Sequence, residues 1–213
     1  MTPLSFNQTS FTTMTIPGLD ERMASIRAHI QPVFQCYGNQ AVDVLTEELQ
    51  EPMYLHIAQH RRRTANAPDF TWSAISHSKR GYKRYPHFTL GITATHIVMW
   101  LSLIDNPDEE VEIGKTLLKN SDLFDDYLEK YQLNLDHTKN DYATLTRDNL
   151  KKGLTRFCQV KKGEFQIGRV LTADDVRTQT SQEVGQVIIE TYQSLLPIYH
   201  LACKVQQEKG VTK

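Results

Sequence analysis

Apolar side chains along this chain change their spacing twice, and that change restricts the fold class more than any other feature. Leu19, Met23, Ile26, Ile30 and Val33 recur every three or four residues, which lines one face of a helix. Met53, Leu55 and Ile57 then alternate with Tyr54, His56 and Ala58, and Phe88, Leu90 and Ile92 alternate in the same way, which is the period of a strand. Helical spacing returns with Leu150, Leu154 and Phe157, and with the stripe Val184, Val187, Ile188, Tyr192, Leu195 and Tyr199. Helix, strands, helices, strands and a last helix predict an α+β fold rather than a regular βαβα alternation. The expected architecture is a single domain whose mainly antiparallel sheet, with a central meander, packs against several helices.

Local signals divide these segments. Pro32 should kink or end the first helix, and Gly38-Asn39 is a stop before a shorter helix over Gln40–Gln50. Asn66, Pro68 and Asp69 mark a turn before a strand over Phe70–Ser76, and Ser78–Pro86 reads as a loop around Gly81. The apolar run Ile97–Ile104 completes the meander, and Asn106-Pro107 opens a helix that breaks near Asn120. Strands are expected over Gln132–Asp136 and Glu164–Leu171, with a helix over Thr146–Phe157 between them. Thr180 and Glu183 fit a capping box ahead of the last helix, which Pro197 should bend. Residues 1–15 form an arm that Phe6, Phe11 and Met14 tack onto the core, residues 16–207 the domain, and residues 208–213 a tail.

Composition excludes several classes. With 213 residues, 39% hydrophobic and 23% charged, the chain suits one buried core rather than disorder. Cys36, Cys158 and Cys203 lack paired spacing and read as reduced thiols. No signal peptide is seen, and the longest apolar stretch is far short of the roughly 20 residues that span a bilayer. A cytoplasmic chain is expected. Gly114-Lys115-Thr116 imitates the end of a P-loop, but Glu109 stands where the first glycine belongs. Asp174-Asp175 reads as a turn ahead of a helix rather than a metal site.

Charge is distributed unevenly. Residues 54–91 carry Arg61, Arg62, Arg63, Lys79, Arg80, Lys83 and Arg84 against one acid, Asp69, for a net of +6, while the remainder is −7. A positive patch on an acidic body is an anion-binding footprint, and Trp72, Tyr82 and Tyr85 supply aromatic faces. The bland alternative is a solvated loop whose charges pair with acids elsewhere. A shared site would need both clusters at one end of the meander, although successive turns of a simple hairpin fall at opposite ends. Five of the eight histidines, His56, His60, His77, His87 and His96, lie in or near this region. His56, His60 and His87 are expected to share the face opposite Leu55 and Ile57. Four residues along a strand is about 13 Å, too far for His56 and His60 to share one ion easily. No structural metal and no cofactor are therefore expected.

The stretch His56-Ile-Ala-Gln-His60-Arg-Arg-Arg-Thr64, with Thr71-Trp72, Lys79-Arg80-Gly81-Tyr82-Lys83 and Pro86-His87-Phe88, resembles the uncharacterised bacterial family typified by YktB. Gly18-Leu19, Glu21-Arg22-Met23 and Val160-Lys161-Lys162 extend the resemblance to most of the chain. It implies a compact α+β domain with a mainly antiparallel sheet and brings no functional residue with it.

Three functions compete. The first is a module binding a phosphorylated or polyanionic ligand, nucleotide or nucleic acid, through His56, His60, Arg61, Arg62, Arg63, Trp72, Lys79, Arg80, Tyr82, Lys83 and His87. The second is an enzyme using the histidines as acid–base groups or metal ligands. The third is a protein-interaction domain whose basic face meets an acidic partner.

Overall fold

The computed structural model describes residues 4–210, with side chains to residue 208. Helices α1 (Gln8–Thr13), α2 (Leu19–His29) and α3 (Gln31–Leu49) precede strands β1 (Tyr54–Ile57), β2 (Thr71–Ser76), β3 (His87–Ile92) and β4 (His96–Leu103). They are followed by α4 (Glu110–Lys119), β5 (Gln132–Asn134), β6 (Ala143–Thr144), α5 (Arg147–Gln159), β7 (Phe165–Thr172), α6 (Ala173–Thr178), α7 (Ser181–Ser194) and α8 (Leu196–Gly210). Short 3-10 helices span Tyr82–Arg84 and Ser121–Tyr127. The strands form a seven-stranded antiparallel sheet in the order β1-β2-β3-β4-β7-β5-β6, the α+β class and central meander that the change of period predicts. Among the described residues no helix is long and apolar enough to cross a membrane.

Every residue of β3 and β4 is buried, so these strands meet protein on both faces. β1 stands at the sheet edge and all four of its residues are half-buried. The expected register therefore holds only in part. Phe88, Leu90 and Ile92 are buried, but so are His87, Thr89 and Gly91. Leu55, Ile57 and His56 are equally half-buried, and His60 lies beyond the strand with φ 49°. Alternation sorts inside from outside only where one face of a sheet is open to water.

The chain gathers into two compact units. The first runs to Ile75 and takes in Thr89–Met99 and Val170–Thr191; the second comprises Ser76–Phe88, Trp100–Arg169 and the chain from Tyr192 on. In the first, α1 packs on α2 and α6, α2 on α3, and α3 on β1. Phe6, Phe11 and Met14 are buried there. Asn7 and Ser10 cap α1 reciprocally, so the N-terminal segment carries a helix of its own. The helix pair differs from expectation. The break falls at Ile30, Pro32 sits in the first turn of α3, and α3 runs straight through Gly38-Asn39. Proline costs a first turn nothing, because the N–H it lacks has no partner there. Gly38 is a contact position rather than a stop: a Cβ there would lie 2.6 Å from Leu55 Cδ1. Asp174 and Asp175 are in the first turn of α6, where Asp175 completes a capping box with Thr172.

In the second unit α4 packs on α5 and α8. Pro107 does not open α4. Asp105, Asn106 and Glu109 take left-handed φ values of 59°, 61° and 61°, and this tight turn delays the helix to Glu110. The expected break at Asn120 is present, and Thr146 caps α5. At the chain's end Glu183 accepts from Thr180 N and Thr180 Oγ1 from Glu183 N, the expected capping box. Pro197 falls in the first turn of a separate helix, α8, so the chain breaks at Leu195 rather than bending.

Candidate anion-binding site

In the first unit, backbone pairing continues past β1 as Ala58 N donates to Trp72 O (2.9 Å). The chain then reverses. His60 adopts its left-handed conformation, and Arg63 N donates back to His60 O at 3.0 Å. The turn carries Arg61, Arg62 and Arg63 into solvent, and all three are exposed. Behind it His60 Nε2 meets Thr71 Oγ1 at 3.0 Å, and the imidazole stands edge-on to Trp72 at 5.4 Å. Trp72 is half-buried and stacks on Phe70 at 5.7 Å. Burial, aided by the Arg63 charge, lowers the His60 pKa to about 4, so the ring is neutral at pH 7.

Arg22 of α2 anchors the other end of this loop. It is 7% exposed and donates to Ile16 O (2.5 Å), Pro68 O (2.9 Å) and Asp69 Oδ1 (3.0 Å). The one acid of the basic segment is thereby committed to Arg22. Arg63 Nη1 donates to Asn66 O at 3.2 Å. Among the described residues no carboxylate pairs with Arg61, Arg62 or Arg63.

The second basic cluster is built differently. Ser78 Oγ donates to Arg80 O (2.7 Å), Gly81 takes φ 66°, and the Tyr82–Arg84 turn follows. Lys79 and Arg80 are exposed. Lys83 Nζ sits 3.1 Å from Asp105, which holds that carboxyl below its usual range. Arg84 is bidentate on Asp108, at 3.2 and 2.8 Å. His87 is buried, contacts Tyr85 O at 2.8 Å through Nδ1, and lies edge-on to Tyr82 at 5.0 Å.

Of the expected site residues, His56, His60, Arg61, Arg62, Arg63 and Trp72 belong to the first unit, and Lys79, Arg80, Tyr82, Lys83 and His87 to the second. The single face expected for His56, His60 and His87 is not formed, because His60 has left the strand and His87 is enclosed in β3. Among the described residues no group of three or more His, Cys, Asp or Glu side chains is placed to hold a metal ion.

Two features escaped the sequence. Arg22 shares the apolar face of α2 with Leu19, Met23 and Ile26, and a lone arginine in such a stripe is a readable signal of a buried anchor. His137 and Glu164 had no such signal. Glu164, 7% exposed, accepts from His137 N at 2.7 Å through Oε2 and faces His137 Nδ1 at 2.7 Å through Oε1. The pair ties two loops of the second unit.

Comparison with known proteins reaches the same scale as these contacts. A family model described as "Domain of unknown function (DUF1054)" matches residues 6–199. The chain belongs to this family. A UPF0637 protein of Enterococcus faecalis is 47% identical over 199 residues, covering 93% of this chain and 98% of that one. One from Shouchella clausii is 40% identical over 198 residues, covering 92% and 94%, and one from Listeria monocytogenes 37% identical over 199 residues, covering 93% and 98%. The family resemblance carried by the central motif is thus borne out, and the DUF1054 match takes in both basic clusters.

Proposed function

We propose that this DUF1054 protein binds a phosphorylated, polyanionic ligand, nucleic acid being the leading class, through Arg61, Arg62 and Arg63. One observation carries the reading: three consecutive exposed guanidiniums, held on a closed turn, have no carboxylate partner among the described residues. Arginine offers phosphate a planar fork, and unpaired charge is available without first breaking an ion pair. Trp72 adds an aromatic surface beside the turn. His60 serves as a neutral hydrogen-bonding support. Cys36, Cys158 and Cys203 form no disulfide among the described residues, which supports placing the protein in the cytoplasm.

Titration of a single-stranded oligonucleotide at rising salt tests this. Affinity should fall with salt, and replacing all three arginines by Ala should reduce the log–log slope by about 2. The melting temperature should hardly move. Binding that survives the triple replacement with an unchanged slope, or no binding at low salt, overturns the proposal.

A further inference from the structure

The second unit holds a cavity that the basic loops do not account for. It measures 280 Å³ and is lined by His77, Tyr85, Cys203, Gln206 and Gln207. Its walls are fixed by contacts that leave useful groups over. His77 Nδ1 meets Tyr199 Oη at 3.3 Å, and Tyr199 is 1% exposed, so the imidazole is oriented from behind. His77 Nε2 has no partner among the described residues. The His77 and Tyr85 rings meet at 4.6 Å and 64°, which makes one corner of the wall aromatic.

Gln206 is fixed in place. Its Nε2 donates to Arg84 O (2.9 Å) and to Asp108 O (2.7 Å). Both amide protons are spent on backbone carbonyls, which fixes the orientation of the side chain. Its Oε1 is enclosed and has no hydrogen-bond partner among the described residues. With no accessible surface it faces protein rather than the cavity, so Gln206 contributes a fixed wall and not a ligand contact. Lys79 and Arg80, both exposed, follow His77 by two and three residues.

We infer that this cavity takes a mononucleotide. The heterocycle would enter against Tyr85, its exocyclic amino group or ring N–H would meet His77 Nε2, and its phosphate would reach Lys79 and Arg80. The pieces match base recognition: an aromatic surface for the flat ring, an imidazole nitrogen for its edge, and cations outside for the phosphate. The volume admits a base with part of its sugar and excludes a duplex. This site shares no residue with the Arg61–Arg63 turn, and the inference does not rest on that turn.

Calorimetric or NMR titration of the full chain with adenosine, cytidine, guanosine and uridine monophosphates tests the inference, with the matching nucleosides and ribose 5-phosphate as controls. At least one nucleotide should saturate below about 10 mM, and its nucleoside and ribose phosphate should each bind about tenfold more weakly. Tyr85→Ala should weaken binding about tenfold. Gln207→Trp, at an exposed rim position, should block the cavity while the melting temperature holds, which guards against a Tyr85 variant that fails to fold. Replacing Arg61, Arg62 and Arg63 together should leave this binding unchanged, so failure here and failure of the oligonucleotide proposal are distinguishable. The inference is overturned if no nucleotide saturates, if ribose phosphate binds as well as the nucleotides, or if Gln207→Trp leaves the affinity unaltered.

Discussion

The turn carrying Arg61–Arg63 and the turn carrying Lys79–Arg84 look alike as runs of basic residues, yet they are put to different use. In the first, the one acid of the segment, Asp69, is taken by buried Arg22, and among the described residues the three exposed arginines make no ion pair. In the second, Lys83 and Arg84 are matched by Asp105 and Asp108, while Lys79 and Arg80 are exposed. The net of +6 counted along the sequence therefore overstates the charge a ligand would meet. Acids outside the segment, at positions 105 and 108, cancel part of it. A basic stretch is read correctly only after its long-range partners are known, because charge that is already paired adds little to attraction at physiological salt.

The comparison breaks most visibly at Arg22. If the first turn is a platform held from below, Arg22→Met should destabilise the chain by about 2–4 kcal/mol, since Ile16 O and Pro68 O both lose a charged donor. Replacing Arg61, Arg62 and Arg63 together should cost less than about 0.5 kcal/mol. Urea unfolding of the two variants measures both. Equal costs would mean that the exposed arginines are structural after all.

His60 sharpens the same contrast through pH. Its folded pKa of about 4 lies below the ordinary 6.5, so the unfolded chain binds the proton more readily. The stability this group contributes is fully present above pH 6.5 and is lost as pH falls from 6.5 through about 4. His96, also lowered by burial, acts in the same direction, whereas Glu110, raised by burial, acts in the opposite one. A difference between variants isolates His60. Asn tolerates the left-handed backbone, so His60→Asn should flatten the stability profile between pH 6.5 and 4 by an amount on the order of 1 kcal/mol once solvent screening is allowed for. NMR titration of the imidazole should find its pKa near 4, rising in Arg63→Ala. An imidazole titrating near 6.5 would show that the ring faces water.

The sequence made the fold class legible because spacing is local: the periods of α2, β3 and α7 survive whatever they pack against. Boundaries were less legible where a residue has two uses. Gly38 and Pro32 are breakers by habit, yet one is a contact point for Leu55 and the other a first-turn residue. Phe88, Leu90 and Ile92 of β3 are buried as expected, but the opposite face of β3 is buried too and β1 shows no clear alternation, since alternation does not say whether a strand is central or at an edge. For the candidate site, the sequence supplied residue types and exposure but not partners. Nothing local announces that Lys83 meets Asp105 or that His137 meets Glu164, because such pairs are made by the folded chain alone.

The smallest effect tests the Lys83–Asp105 pair. Its side chains are 31% and 48% exposed, so a double-mutant cycle with Lys83→Met and Asp105→Asn should give a coupling under about 1 kcal/mol. Asn is a good replacement because Asp105 is left-handed at φ 59°, a conformation it also adopts. The cycle alone would not separate a spent charge from a free one, but salt dependence does. If Asp105 offsets Lys83, then Asp105→Asn raises the local positive charge, and mononucleotide binding in the second unit should gain about twofold with a slightly steeper salt slope. Lowering the pH through the depressed pKa of Asp105 should act in the same direction, because the protonated acid no longer offsets Lys83. In Lys83→Met both effects should vanish. A gain from Asp105→Asn that persists without Lys83 would trace it to general charge rather than to this pair, and the two basic turns would then differ in degree only.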